Sequence, residues 1–292
     1  MNLRNFTGQC VVITGAAGGL GQALVSVFLQ AGANVVALDR DAPALDALPH
    51  AAGPPQGEVA PMGGSDPRSG GAWGGQLLTV VCDVTDLPSC TAAIAQATAR
   101  FGGIDVLINN AGIAHRSAFA DTQIDVLRRV MEVNFFGAVH CTHAAIASLR
   151  QRKGLVITIS SVAGFSPLIG RTGYAASKHA LHGFFDSLRT EVEDDGVDVL
   201  IVCPSFIDTG IDRAALGADG QAAANARKTT GQTTQPAEVA IAIFKAARAR
   251  HTLVLFSPTA KAAWWLSRLW PSRYATIMKR RLRAEIFPNT TP

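Results

Sequence analysis

Seven short apolar runs, rich in β-branched residues, punctuate the chain: CVVIT (Cys10–Thr14), NVVALD (Asn34–Asp39), LLTVVCD (Leu77–Asp83), DVLINN (Asp105–Asn110), LVITIS (Leu155–Ser160), VDVLIVC (Val197–Cys203) and TLVLF (Thr252–Phe256). They read apolar on both faces, as strands buried from both sides do. Between them, apolar positions recur at helical spacing near Gly19–Ala31, Leu87–Phe101, Thr122–Arg152, Gly173–Glu193 and Pro236–Arg248. Strands separated by helices predict an α/β fold: a doubly wound, Rossmann-type parallel sheet of about seven strands with helices on both faces.

The rhythm breaks twice. Residues Pro49–Gln76 contain 13 Gly or Pro in 28 positions, where the second helix should lead into the third strand. A flexible surface insertion is expected there. The rest of residues 1–257 reads as a single dinucleotide-binding and catalytic domain, and residues 258–292 as a basic, Trp-rich helical extension. With 26 Lys and Arg against 22 Asp and Glu the chain is only mildly basic. Seven of those cations and no acid lie between Lys261 and Arg283, leaving 19 basic against 22 acidic side chains elsewhere. The basicity therefore belongs to the tail. Cys10, Cys82, Cys90, Cys141 and Cys203 form no CxxC pair and read as small core residues of a reducing compartment. No leader pattern or spanning apolar run is visible, so a cytoplasmic location is expected, with peripheral attachment to the cytosolic membrane face as the other option.

TGAAGGLG (Thr14–Gly21) stands between the first strand and the first helix. Glycines at 15, 19 and 21 let the backbone turn tightly and approach a pyrophosphate, whose charge meets the helix N-terminus. The spacing is G-x-x-x-G-x-G rather than G-x-G-x-x-G. Asp39 ends the second strand, where a carboxylate accepts hydrogen bonds from ribose hydroxyls and repels a 2′-phosphate. That favours NAD over NADP, although Arg40, which could stack on adenine, point to solvent or attract a phosphate, follows directly. Further along, YAASK places Tyr174 four residues before Lys178, so that a phenol and an ammonium share one helix face.

In order along the chain, the glycine motif, DVT (Asp83–Thr85), NNAG (Asn109–Gly112), Asn134, ISS (Ile159–Ser161) and YAASK (Tyr174–Lys178) resemble the short-chain dehydrogenase/reductase family, classical type, over about Gly8–Phe256. The resemblance implies a hydride exchange between a nicotinamide cofactor and a carbinol or carbonyl carbon. Asn134, Ser161, Tyr174 and Lys178 would be the catalytic set. The cofactor would contact Gly15, Gly19, Leu20, Gly21, Asp39, Arg40, Asp83, Val84, Asn110, Ala111, Gly112, Tyr174, Lys178, Pro204, Ile207 and Thr209.

Chemistry supplies reasons for these roles. Tyr174 is the acid/base; a free phenol titrates near ~10, and a neighbouring ammonium favours phenolate. Lys178 thus tunes Tyr174 and, by resemblance, grips the nicotinamide ribose. Ser161 orients the substrate oxygen, and Asn134 is read as holding a water that links Lys178 to solvent. In PSFIDT (Pro204–Thr209) the family usually has Gly where this chain has Ser205, which bears on the loop geometry over the nicotinamide.

Other chemistries are weaker. The pairs His140/His143 and His179/His182 lack the ligands to complete a metal site. There is no G-x-S-x-G elbow and no P-loop, and only the tail's charge speaks for nucleic acid. The tail itself has three readings: an interfacial helix on lipid, a helix pair packed on the domain or a neighbouring subunit with Pro271 dividing it, or a lid over a greasy substrate. The substrate pocket is expected from Phe165–Arg171 and Ser205–Gln235, with Phe165, Leu168, Ile169, Phe206 and Ile211 favouring a steroid-like or acyl-chain-like alcohol or ketone. The alternatives are a 3-oxoacyl thioester reductase using Arg116, Arg128 and Arg129, and an NAD(H)-sensing, membrane-attached binding protein with vestigial activity. By resemblance the chain is expected to form dimers or tetramers.

Overall fold

The computed structural model describes residues 3–48, 74–211, 213–223 and 233–286. Nearly all of the Gly/Pro-rich segment lies outside them. Strands β1 (Cys10–Thr14), β2 (Asn34–Asp39), β3 (Leu77–Val81), β4 (Val106–Asn109), β5 (Leu155–Ile159), β6 (Asp198–Cys203) and β7 (Leu253–Leu255) form one parallel sheet in the order β3-β2-β1-β4-β5-β6-β7. The helices are α1 (Gly19–Gln30), α2 (Ala42–Asp46), α3 (Leu87–Phe101), α4 (Ile124–Met131), α5 (Gly137–Arg152), α6 (Thr172–Val192), α7 (Pro236–Arg248), α8 (Pro258–Leu269) and α9 (Pro271–Ile286).

Successive strand residues serve opposite faces. Val11 and Ile13 join Leu24, Phe28, Ile243 and Phe244 in the core beneath α1 and α7. Cys10 and Val12 join Ile94, Ala145, Leu149 and Phe185 in the core beneath α3, α5 and α6. All five cysteines are buried and free, as small core residues would be. Phe6, Phe28 and Phe244 close the first core with ring centroids 5.0–5.3 Å apart.

The helical stretch expected over Thr122–Arg152 is broken. Between α4 and α5, residues Glu132–Phe136 make one wide turn in which Gly137 N–H reaches back five residues to the Glu132 carbonyl. Such a π-type bulge frequently marks a functional position, and here it contains Asn134. Chain order reverses between β1 and β4, both neighbours of each other yet leading to opposite wings of the sheet. In a doubly wound sheet that switch opens a crevice at the carboxyl ends of the strands.

Candidate active site

The crevice continues into a cleft of about 1090 Å³. Its floor is stitched by Thr14 at the end of β1, whose hydroxyl accepts the Asn110 and Ala111 N–H groups, both at 3.0 Å. The Asn110 side-chain amide donates to the Thr14 and Gly15 carbonyls at 2.9 and 3.0 Å. Thr14 was not singled out from the sequence. Gly15 has φ +62, and a Cβ there would stand 2.8 Å from Ala111 Cα. Glycine is what permits this close crossing.

No side chain caps the N-terminus of α1, and its first turn carries no acid. Gly18, Gly19 and Leu20, which begin the helix, line the cleft. A twelve-residue helix thus presents uncapped backbone donors to a space that glycines keep clear, a fit for a dinucleotide pyrophosphate. At the same end, Asp39 accepts the Ala17 N–H at 3.0 Å and the Asp41 N–H at 3.2 Å, which fixes its carboxylate beside the glycine turn. Arg40 is exposed on the cleft rim. The backbone N–H of Thr85 is the main cause holding the Asp83 carboxyl below its usual pKa, and Arg40 adds to it.

All sixteen positions expected to contact the cofactor line the cleft, from Gly15 to Thr209. Ser161, Tyr174 and Lys178 line it as well. Ser161 caps a short 3₁₀ turn, accepting Ala163 N–H at 3.2 Å. Lys178 is 4 % exposed, donates to the Ile159 carbonyl at 2.8 Å, and its Nζ lies 5.8 Å from the Tyr174 ring centroid. Asn134 differs: it is buried behind the wall rather than lining it. Its Oδ1 accepts Ile113 N–H at 2.7 Å, and its Nδ2 donates to the Ile113 carbonyl and to Ser177 Oγ, both at 3.0 Å. Ser177 in turn donates to the Tyr174 carbonyl at 2.8 Å. Both amide hydrogens are committed, so the side chain positions the Tyr174 turn of α6 and the Ile113 loop.

Burial lowers Lys178 to about 8 from the ordinary 10.5. The unfolded chain therefore holds this proton to higher pH, and the cost of burying the charge is fully present below about 8. That cost is relieved as pH rises toward the unfolded value. Wild-type stability relative to Lys178→Met should thus climb from about pH 8 toward 10.5, and denaturant midpoints across that range check it. The ammonium beside Tyr174 is the dominant form only below about 8.

The far wall agrees with the sequence in part. Leu168, Phe206 and Ile211 line the cleft, whereas Phe165 and Ile169 do not. Phe165 instead meets Trp264 edge-on at 4.8 Å and holds α8 against the domain. Ser205 lines the cleft without a positive φ, so its side chain imposes no left-handed strain. Arg116 lines the cleft; Arg128 and Arg129 do not, and Arg128 pairs with Asp125 at 2.9 Å. Residues 212 and 224–232 of the expected substrate loop lie outside the described residues.

The tail closes the rest. Pro271 divides it into α8 and α9, and Leu266, Tyr274, Ile277, Met278, Arg281 and Leu282 line the cleft. The spacing of Tyr274, Met278 and Leu282, four residues apart, was the readable sign of an inward stripe. His115, buried and 2.9 Å from Ser117 Oγ, also faces the cleft, and burial keeps its ring toward the neutral form.

Comparison with known proteins decides the family. Residues 9–61 and 68–218 match the family model for short chain dehydrogenase. The chain belongs to the short-chain dehydrogenase/reductase family. Dehydrogenase/reductase SDR family member 7B of Bos taurus is 39% identical over 277 residues, spanning 94% of this chain and 82% of that protein. The SDR family protein 7-like of Drosophila melanogaster is 34% identical over 286 residues, spanning 94% and 80%. Among solved structures, a short-chain dehydrogenase from Streptomyces avermitilis superposes with a TM-score of 0.72 at 27% identity, covering 94% of this chain and 97% of that one. An alcohol dehydrogenase from Thermococcus sibiricus, solved with 5-hydroxy-NADP, shares the fold with a TM-score of 0.67 at 20% identity, covering 84% and 95%. This short-chain dehydrogenase/reductase is an NAD(P)-dependent oxidoreductase. Among the described residues no helix is long and apolar enough to cross a membrane, and no group of His, Cys, Asp or Glu is arranged to hold a metal.

Proposed function

We propose that this enzyme interconverts a hydrophobic secondary alcohol and its ketone with NAD(H). The observation carrying the reading is one continuous cleft that begins at the glycine turn, passes Ser161, Tyr174 and Lys178, and ends among apolar side chains of the substrate loop, α8 and α9. The nicotinamide, when bound, supplies or accepts the hydride. Ser161 orients the substrate oxygen by donating its hydroxyl hydrogen, which no described residue takes. Tyr174 gives that oxygen a proton in reduction and removes it in oxidation. Lys178, charged below about 8, stabilises the phenolate formed after each donation. Ser177 and Asn134 fix the turn that presents Tyr174.

Asp39 supports NAD. Its carboxylate is tethered beside the glycine turn, where a 2′-phosphate would meet like charge, and such a juxtaposition costs several kcal/mol. Asp39→Ser is expected to move the kcat/KM preference for NADH over NADPH by about 100-fold toward NADPH, on the order of 3 kcal/mol. An unchanged ratio would assign cofactor choice to Arg40 instead. The apolar far wall supports steroid-like or acyl-chain-like substrates over sugars, and the placement of Arg128 and Arg129 away from the cleft weakens the thioester reading. Family members often assemble, and Phe136, 40% exposed beside α5, supports a homo-oligomer formed through that flank.

A further inference from the structure

The two C-terminal helices have a second face that catalysis does not use. On α8, Trp264 turns inward onto Phe165, with the Arg268 guanidinium 3.2 Å above its ring centroid. Its neighbour Trp265 turns outward and is 63% exposed. Lys261, Trp265 and Leu269 follow one another at four-residue spacing, so they form one outer stripe, which Trp270 extends into the α8–α9 corner. Leu269 and Trp270 are 56% and 53% exposed. On α9 only Tyr274 and Leu282 are buried among Pro271–Leu282, while Arg273, Lys279 and Arg280 are exposed. No acid lies between Ser257 and Arg283.

We propose that this corner docks on an anionic lipid surface and holds the mouth of the cleft against it. Tryptophan and leucine side chains flanked by Lys and Arg match the layering of a bilayer interface, with indoles among headgroups and cations on anionic lipid. A second copy of the chain is the poorer occupant. A two-fold contact through this patch would bring the Lys and Arg side chains of the two copies close together. The inner faces of the same helices line the cleft through Leu266, Ile277 and Met278, so a docked corner sets the apolar wall next to the membrane. The proposal goes beyond the catalytic reading and stands or falls separately from it.

The test is sedimentation of the full chain with phosphatidylcholine vesicles, with and without phosphatidylserine, and NADH affinity as the control for folding. Wild type should bind the phosphatidylserine vesicles more tightly, and added salt should weaken that binding. Arg273→Gln/Arg280→Gln should reduce it about 30-fold, and Trp265→Ser/Trp270→Ser at least about 10-fold, both with NADH affinity unchanged. Three results would overturn the proposal: no binding to either vesicle, binding that neither double variant alters, or a concentration-dependent dimer that Trp265→Ser/Trp270→Ser dissolves. The last would make the patch an interface between copies.

Discussion

Tyr174→Phe is expected to lower kcat by about 10³-fold while NADH affinity and thermal stability stay near wild type. The substitution removes one hydroxyl from a side chain on the cleft wall and leaves the backbone bonds that position Tyr174 and Lys178 in place. Ser177 holds the Tyr174 backbone carbonyl, and Asn134 holds Ser177. Lys178 keeps its bond to the Ile159 carbonyl whatever the neighbouring ring carries. The loss should therefore fall on kcat, as removal of an interaction made in the transition state does. Steady-state kinetics with NADH and a hydrophobic ketone, beside titration of NADH binding by fluorescence, separates the two quantities. A variant that turned over at the wild-type rate would remove Tyr174 from the proton path.

Gly21→Val is expected to weaken NADH binding by at least about 100-fold and to lower the melting temperature by several degrees. A Cβ at Gly21 would overlap the Gly15 carbonyl oxygen and lie 2.7 Å from Ala16 Cα. Backbone, unlike the end of a long side chain, cannot step aside without opening the turn. Opening it would carry Gly15 away from Ala111 and disturb the Thr14 and Asn110 bonds that join β1 to β4. Calorimetric titration with NADH and a thermal melt read the two effects together. Wild-type affinity in this variant would show that the glycine turn does not shape the cofactor site.

The seven strands were legible because each is apolar on both faces and bounded by helical periodicity, and their observed ends differ from expectation by at most two residues. The break at Glu132–Phe136 was not legible. It contains no proline or glycine, and it depends on Asn134 bonding across to Ile113, a contact 21 residues away in sequence. The same long-range tie explains why Asn134, recognisable by its place among the motifs, sits behind the cleft wall. Phe165 and Leu168 looked alike in sequence, yet Trp264 claims Phe165 for packing and leaves Leu168 to the cleft. In the tail, composition could not separate lid from packed pair, because the helices do both: Trp264 packs inward while Leu266 and Met278 line the cleft. Adjacent tryptophans with opposite orientations cannot be told apart by residue type alone.

Hydride exchange at a carbinol carbon, assisted by Tyr174, is the chemistry this cleft is proposed to perform. It is tested most directly by incubating the enzyme with NADH deuterated at the transferable nicotinamide position and a panel of hydrophobic ketones, then locating the label by mass spectrometry. Wild type should place deuterium on the carbinol carbon of at least one product, and Tyr174→Phe should do so about 10³-fold more slowly. NADH that binds tightly yet delivers no deuterium to any ketone, or transfers it equally in both proteins, would contradict this chemistry.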